Sequence, residues 1–232
     1  MIISGIQKTT LIDYSDKVAA TVFLSGCNFR CPWCYSAELV LPEKIKDQPI
    51  LPEEKFFEFL RKRQGLLDAI VLCGGEPTIN SELPEFIKKI KKLGFLVKLD
   101  TNGSNPEMLK SLIDDKLIDY VAMDIKLPKE RYSEVFFSEI EIEDIQKSID
   151  ILKEHKIPFE FRTTVAPEAL NKEALIQMAN WIAGPEVTYY LQNFRAEKTI
   201  DPKFEELKPY HESYLEEVVK EISSLFKICE VR

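Results

Sequence analysis

The chain has 232 residues, of which 45% are hydrophobic and 30% charged, a composition that predicts a globular protein with one sizeable core. The net charge of -8 disfavours nucleic acid and anionic membrane surfaces as partners. No apolar run approaches the roughly 18 residues of a membrane span, and the chain does not begin like a secretory signal. We therefore expect a cytoplasmic protein.

Short runs rich in β-branched and aromatic residues alternate with longer stretches whose apolar residues recur every three or four positions. The short runs predict six strands: Val18–Leu24, Asp68–Cys73, Phe95–Asp100, Asp119–Ile125, Pro158–Val165 and Val187–Asn193. A weaker pattern predicts a seventh strand at Lys227–Val231. The longer stretches predict six amphipathic helices: Pro52–Gln64, Glu82–Leu93, Pro106–Asp115, Glu143–His155, Asn171–Ala183 and His211–Phe226.

This alternation predicts an α/β fold, because strands separated by helices form parallel sheets through right-handed crossovers, with the helices outside. A doubly wound sheet and a (βα) barrel both satisfy the pattern. Six units fall short of the eight of a closed TIM barrel, so the barrel version is a partial (βα)6 barrel. No linker or change of composition divides the chain, and we expect a single domain over residues 1–232.

The unusual residues follow the predicted strands, at the edge where parallel α/β folds carry their sites. A three-cysteine loop follows the first strand. The second, third and fourth strands lead into further motifs, which are Gly74-Gly75-Glu76-Pro77, Asp100-Thr101-Asn102-Gly103, and Asp124 with Lys126.

The cysteines Cys27, Cys31 and Cys34 have the spacing C-x3-C-x2-C, which suits three thiolates around one compact object. A structural zinc site needs four ligands, and only Cys73 could supply the fourth. A four-iron cluster held by three cysteines instead leaves one iron open to a substrate or cofactor. The spacing alone leaves both interpretations open.

The cysteine loop, with Trp33 before its third cysteine and a Gly-Gly-Glu-Pro turn after the next strand, resembles the radical S-adenosylmethionine (SAM) superfamily. Within it, the segments Ser4–Tyr14 and Ser25–Pro32 resemble activating enzymes of the anaerobic ribonucleotide reductase kind. The likeness runs from about Ser4 to Lys126. This chain departs from the family pattern at Cys34-Tyr35-Ser36, where Cys-His-Asn is frequent, and at Ser15-Asp16, where Pro-Gly is frequent.

The resemblance implies a [4Fe-4S] cluster on the three cysteines and SAM on the open iron. One electron from the reduced cluster would then give methionine and a 5'-deoxyadenosyl radical, which abstracts hydrogen. The resemblance also implies a cofactor-binding role for strand-end residues, in which the glycines let backbone approach the ligand and Lys126 or Arg162 meets its carboxylate. The residues expected to bind cofactor are Trp33, Gly74, Gly75, Glu76, Thr101, Asn102, Asp124, Lys126 and Arg162. Asp100 and Asp124 could in addition hold a monovalent cation.

Five cysteines cannot build an additional cluster domain, so we expect a minimal activating enzyme. It would take a hydrogen atom from a backbone glycine of a glycyl radical enzyme, most simply an anaerobic ribonucleotide reductase, with reduced flavodoxin or ferredoxin as electron donor. The alternatives are a radical SAM enzyme acting on a small molecule, similar to 7-carboxy-7-deazaguanine synthase, and a non-catalytic zinc-binding module. The segments Leu127–Glu141 and Phe194–Tyr210 carry no recognisable signal.

Overall fold

The computed structural model describes residues 1–232 and contains one sheet of eight strands. The strands are β1 Ile3–Thr10, β2 Ala19–Leu24, β3 Ala69–Gly74, β4 Leu96–Thr101, β5 Tyr120–Asp124, β6 Phe159–Val165, β7 Gly184–Asn193 and β8 Phe226–Val231. All seven predicted strands are confirmed to within a few residues. The first strand, β1, was not predicted.

Eight α-helices accompany the sheet, and the six predicted amphipathic helices correspond to the longer ones, α3 to α8. The helices are α1 Ala37–Val40, α2 Pro42–Ile45, α3 Glu53–Lys62, α4 Leu83–Lys92, α5 Pro106–Asp114, α6 Ile142–Glu154, α7 Lys172–Ile182 and α8 Glu212–Ile222. Local capping fixes several starts: Asn105 and Asn171 accept backbone N–H groups of α5 and α7. Short 3-10 turns occur at Pro77–Ile79, Lys129–Val135, Pro202–Glu206 and Ser223–Leu225.

The strands lie in the order β1-β2-β3-β4-β5-β6-β7-β8, and β2 to β8 are mutually parallel. Strand β1 pairs antiparallel with β2, and no pairing joins β1 to β8. The expected partial barrel is therefore confirmed as an open α/β sheet. Its six predicted units are β2 to β7, and β1 and β8 extend the two edges.

The two faces of the sheet differ in polarity. On β4, Val97 and Leu99 belong to the main hydrophobic core together with apolar residues of α4, whereas Lys98 and Asp100 point to the other face. Alternation along each strand thus separates an outer apolar face, covered by helices, from a concave inner face lined by polar side chains. No helix is both long and apolar enough to cross a membrane.

Candidate active site

The three cysteines of the loop after β2 border one cavity of about 340 Å³ on the concave face of the sheet. Cys31 is buried and Cys27 and Cys34 are half-buried. Burial raises the pKa of the Cys27 and Cys31 thiols to about 12 and also raises that of Cys34. Burial disfavours the thiolate form here, as it does at Cys73 and Cys229, whose pKa values also rise to about 12.

One side of the cysteine loop is held by the segment Leu127–Glu141. Phe29 and Phe136 form a β-bridge, and the Arg30 backbone N–H donates to the Val135 carbonyl at 2.8 Å. The Arg30 guanidinium also lies 3.7 Å from the centre of the Phe137 ring. This segment, which carries no sequence signal, therefore orders the loop.

The segment Phe194–Tyr210 holds the other side of the same loop. The backbone N–H of Ile200 donates to the Cys34 carbonyl at 3.0 Å, and that of Asp201 donates to the Pro32 carbonyl at 2.9 Å. Trp33 is 4% exposed, packs 6.1 Å from the Phe204 ring and lines the cavity. The loop is thus fixed between two segments distant in sequence.

The glycine turn after β3 lies directly against the start of the cysteine loop. The Gly75 N–H donates to the Leu24 carbonyl at 2.8 Å, and the Glu76 N–H donates to the Gly26 carbonyl at 2.7 Å. A Cβ on Gly75 would overlap the Gly26 carbonyl and lie 3.3 Å from the Cys27 Cβ. Both Gly74 and Gly75 line the cavity, but the absent side chains are needed first for contact between the two loops. The sequence predicts a different reason for these glycines, namely close approach of the backbone to a ligand, and this is a second requirement.

Glu76, which the sequence predicts to bind cofactor, does not line the cavity. Its carboxylate is buried and accepts from the Thr78 N–H at 3.0 Å, the Thr78 hydroxyl at 2.6 Å, the Thr101 hydroxyl at 2.8 Å and the Asn102 N–H at 2.6 Å. Burial raises the pKa of Glu76, and these donors oppose the shift. The carboxylate ties the turn after β3 to the end of β4.

An asparagine network, which the sequence did not reveal, joins β4 to the cysteine loop. The Asn102 side chain donates to Asn28 Oδ1 at 2.9 Å, and the Asn28 side chain donates to the Ser104 hydroxyl at 2.8 Å. Thr101 and Asn102 both line the cavity, as expected for site residues. The network fixes the edge of the cavity on which they lie.

The inner ends of β4, β5 and β6 carry a connected set of ion pairs. Lys126 Nζ lies 3.0 Å from Asp124 Oδ2, and Arg162 lies 2.9 Å from Asp124 Oδ1 and 3.0 Å from Asp100 Oδ2. Burial raises the pKa of Asp124, but Arg162 and Lys126 outweigh it and lower the pKa to about 2. All four residues line the cavity.

The same ion-pair chain continues along the concave face of the sheet, away from the cysteine loop. Lys98 Nζ lies 3.6 Å from Asp100 Oδ1 and 3.4 Å from Glu160 Oε1, and Glu160 Oε2 lies 3.4 Å from Arg232. Lys98 and Glu160 are both buried. The alternating polar residues of β6, Glu160, Arg162 and Thr164, were a readable sign that this face is polar.

No three His, Cys, Asp or Glu side chains are grouped around a single-ion site. A zinc site needs such a group, whereas each cysteine of a [4Fe-4S] cluster binds its own iron. Three cysteine thiols bordering one cavity therefore fit a cluster. Lys126 donates to one acceptor only, and Arg162 Nη2 has no protein partner, so both retain donors for a carboxylate.

The radical SAM superfamily model matches residues 21–182, so the chain belongs to this superfamily and is an enzyme of the SAM-dependent, iron-sulfur type. A Methanocaldococcus jannaschii protein named "Putative glycyl-radical enzyme activating enzyme" is 35% identical over 226 residues, covering 94% of this chain and 90% of that protein. The family assignment and the resemblance to activating enzymes are thereby confirmed.

Two further similarities bear on the site and the fold. A 7-carboxy-7-deazaguanine synthase of Thermococcus kodakarensis is 27% identical over 179 residues, which covers 70% of this chain and 67% of the relative. The solved structure of native anSMEcpe with bound AdoMet matches with a TM-score of 0.62 at 16% identity, covering 89% of this chain and 61% of that one. At this identity, the structural match concerns the fold alone.

Proposed function

We propose that this enzyme activates a glycyl radical enzyme by removing one hydrogen atom from a backbone glycine of its partner. The observation that carries the proposal is one cavity bordered by Cys27, Cys31 and Cys34, by the Gly74-Gly75 turn, and by the spare donors of Lys126 and Arg162. The similarity to an activating enzyme over nearly the whole chain supports it. We further propose that residues 1–232 act as one domain, since one main core extends from β1 to β8.

Cys27, Cys31 and Cys34 would hold the [4Fe-4S] cluster, and SAM bound beside it supplies the radical that takes the hydrogen atom. Gly74 and Gly75 leave room along one wall, while Trp33, Thr101 and Asn102 shape the cavity. Lys126 and Arg162 would orient the methionine carboxylate, with Asp124 holding both cations in place. Glu76 acts by positioning the turn.

The partner proposed is an anaerobic ribonucleotide reductase, with reduced flavodoxin or ferredoxin as electron donor, in the cytoplasm. The resemblance of Ser4–Tyr14 and Ser25–Pro32 supports this choice. A monovalent cation between Asp100 and Asp124 stays a prediction. Arg162 already supplies a positive charge to both carboxylates.

A second candidate is a radical SAM reaction on a small molecule, favoured by the 27% identity to 7-carboxy-7-deazaguanine synthase. The two candidates differ in what receives the radical. Only an activating enzyme leaves a stable radical on a protein glycine.

The deciding experiment incubates the reconstituted, reduced enzyme and SAM with the anaerobic ribonucleotide reductase of the same organism. Electron paramagnetic resonance should detect a glycyl radical on the reductase, and none on a reductase whose radical-site glycine is replaced by alanine. Formation of 5'-deoxyadenosine without any protein radical would reject this partner.

A further inference from the structure

Phe137 exposes a large aromatic side chain beside the cysteine loop. The residue is 62% exposed, and its backbone N–H donates to the Asn28 carbonyl at 3.1 Å. One face of its ring is covered by the Arg30 guanidinium, 3.7 Å from the ring centre, and the rest is open to solvent. Aromatic residues and arginine are enriched where proteins dock, so this pair indicates a contact surface.

The pair is connected directly to the first cysteine of the loop. Arg30 Nη1 donates to the Cys27 carbonyl at 2.8 Å and to the Phe29 carbonyl at 2.7 Å. The Phe29 backbone N–H in turn donates to Cys27 Sγ at 3.4 Å. A single side chain therefore links the exposed Phe137 ring to the backbone of Cys27.

This surface lies outside the cavity. Cys27 lines the cavity, whereas Arg30 and Phe137 do not. A partner docked on Arg30 and Phe137 would thus touch the cysteine loop without reaching the space where SAM and a substrate would lie. Transfer of a hydrogen atom needs the two reacting atoms in contact, but an electron can cross several residues of packed protein. The surface therefore suits delivery of an electron and does not suit the substrate glycine.

The charge of Arg30 indicates the kind of electron donor. Its guanidinium forms no ion pair, because its two hydrogen bonds go to neutral carbonyls. With a net charge of -8, the chain as a whole repels an acidic protein, and an unpaired cation provides a local site of attraction. The exposed ring of Phe137 fits the flat aromatic edge of a flavin.

We propose that Arg30 and Phe137 form the docking surface for a flavodoxin, with its flavin edge against the Phe137 ring and one of its carboxylates on the Arg30 guanidinium. The reduced flavin loses one electron and the cluster on the three cysteines gains it, so no covalent bond forms or breaks in this chain. This inference rests on the proposed function and assigns the surface that receives its electron donor.

The first test measures binding without turnover, by calorimetry of oxidised flavodoxin with the reconstituted enzyme. The Kd should be about tenfold weaker in Phe137→Ala and about fivefold weaker in Arg30→Gln, as expected for the loss of interface anchors. Added salt should weaken binding to the unaltered chain more than binding to Arg30→Gln. Leu66→Ala is the matched control, since Leu66 is also 62% exposed but precedes β3, at the opposite edge of the sheet.

The second test compares two reductants on the same variants. With reduced flavodoxin below saturation, the absorbance of the cluster should bleach about tenfold more slowly in Phe137→Ala than in the unaltered chain. With dithionite, which needs no docking surface, both proteins should bleach at the same rate and form equal amounts of 5'-deoxyadenosine. The dithionite reaction also shows that Phe137→Ala is folded and carries its cluster.

Four outcomes would overturn the inference. One is equal affinity for flavodoxin in Phe137→Ala and the unaltered chain, and another is equally slow bleaching of Phe137→Ala with both reductants. A third is weaker binding of ferredoxin but not of flavodoxin, which would assign the surface to a different donor. The fourth is slower glycyl radical formation with dithionite, which would assign it to the substrate protein.

The proposed function and this inference fail in different ways. Absence of 5'-deoxyadenosine with dithionite rejects the proposed function, whatever flavodoxin binds. Formation of that product with dithionite, together with unchanged flavodoxin binding in Phe137→Ala, rejects the inference alone.

Discussion

The Glu76 carboxylate accepts a 2.6 Å hydrogen bond from the backbone N–H of Asn102, which joins the turn after β3 to the end of β4. Because the same carboxylate accepts three further bonds from Thr78 and Thr101, it fixes the edge of the cavity without entering it. The sequence predicts a ligand contact for Glu76, and we propose instead that Glu76 is a positioning residue.

Replacing Glu76 by glutamine should destabilise the protein. Both carboxylate oxygens accept hydrogen bonds, and the NH2 group that replaces one of them in glutamine cannot accept any. A buried donor left without an acceptor costs about 1–3 kcal/mol. Urea denaturation should show this loss, and SAM affinity should fall with it. Glu85→Gln, at an exposed position on α4, is the control. Unchanged stability of Glu76→Gln would contradict the positioning role.

Gly75→Ala should reduce iron loading because its Cβ would displace the Gly26 carbonyl and press on Cys27. Gly5→Ala is the matched control, since its Cβ would make only an ordinary 3.8 Å contact with Phe23. Iron content after reconstitution measures the effect. Full iron loading combined with weakened SAM binding would instead indicate that Gly75 is needed to leave room for SAM.

Cys31→Ala should lose the cluster, because two remaining cysteines do not hold a four-iron centre at this site. Cys229→Ala, on β8 and outside the cavity lining, should retain it. Iron analysis and the brown absorbance of the reconstituted proteins measure both. A Cys31→Ala protein with full iron content would reject the ligand assignment.

Acid titration should reveal the paired state of Asp124. Its pKa falls from 3.8 to about 2 because Arg162 and Lys126 outweigh the effect of burial. A carboxyl whose folded-state pKa is lowered stabilises the fold above its unfolded pKa, and that stabilisation disappears as the pH falls from about 4 towards 2. The contribution is about 2 kcal/mol.

Between pH 5 and pH 2, the free energy of unfolding should therefore fall less in Asp124→Asn than in the unaltered chain. The difference should be about 2 kcal/mol. Urea denaturation across this range measures the difference. Parallel pH profiles for the two proteins would show that Asp124 is not held as an ion pair.

The alternation of helices and strands was predictable from two patterns. In α3 to α8 the apolar residues recur every three or four positions, and β2 to β7 are short runs rich in β-branched and aromatic residues. Strand β1 was missed because it is an edge strand with Gly5, Gln7 and Lys8 in its middle. Its residues therefore show no regular alternation of buried and exposed positions. The inward turn of Glu76 and the contact between Asn28 and Asn102 depend on tertiary packing across many residues. Spacing along the chain does not encode such contacts.

The motif residues of the site were predictable for a different reason. Cys27, Cys31 and Cys34 follow one strand and Asp124 ends another, so parallel topology alone brings them to the same edge.

The central claim is tested most directly by anaerobic reconstitution with iron and sulfide, followed by reduction in the presence of SAM. Chromatography should detect 5'-deoxyadenosine and methionine from the unaltered chain, and neither product from Cys31→Ala or from enzyme without reductant. Bound zinc in place of iron, with no 5'-deoxyadenosine formed, would contradict the account.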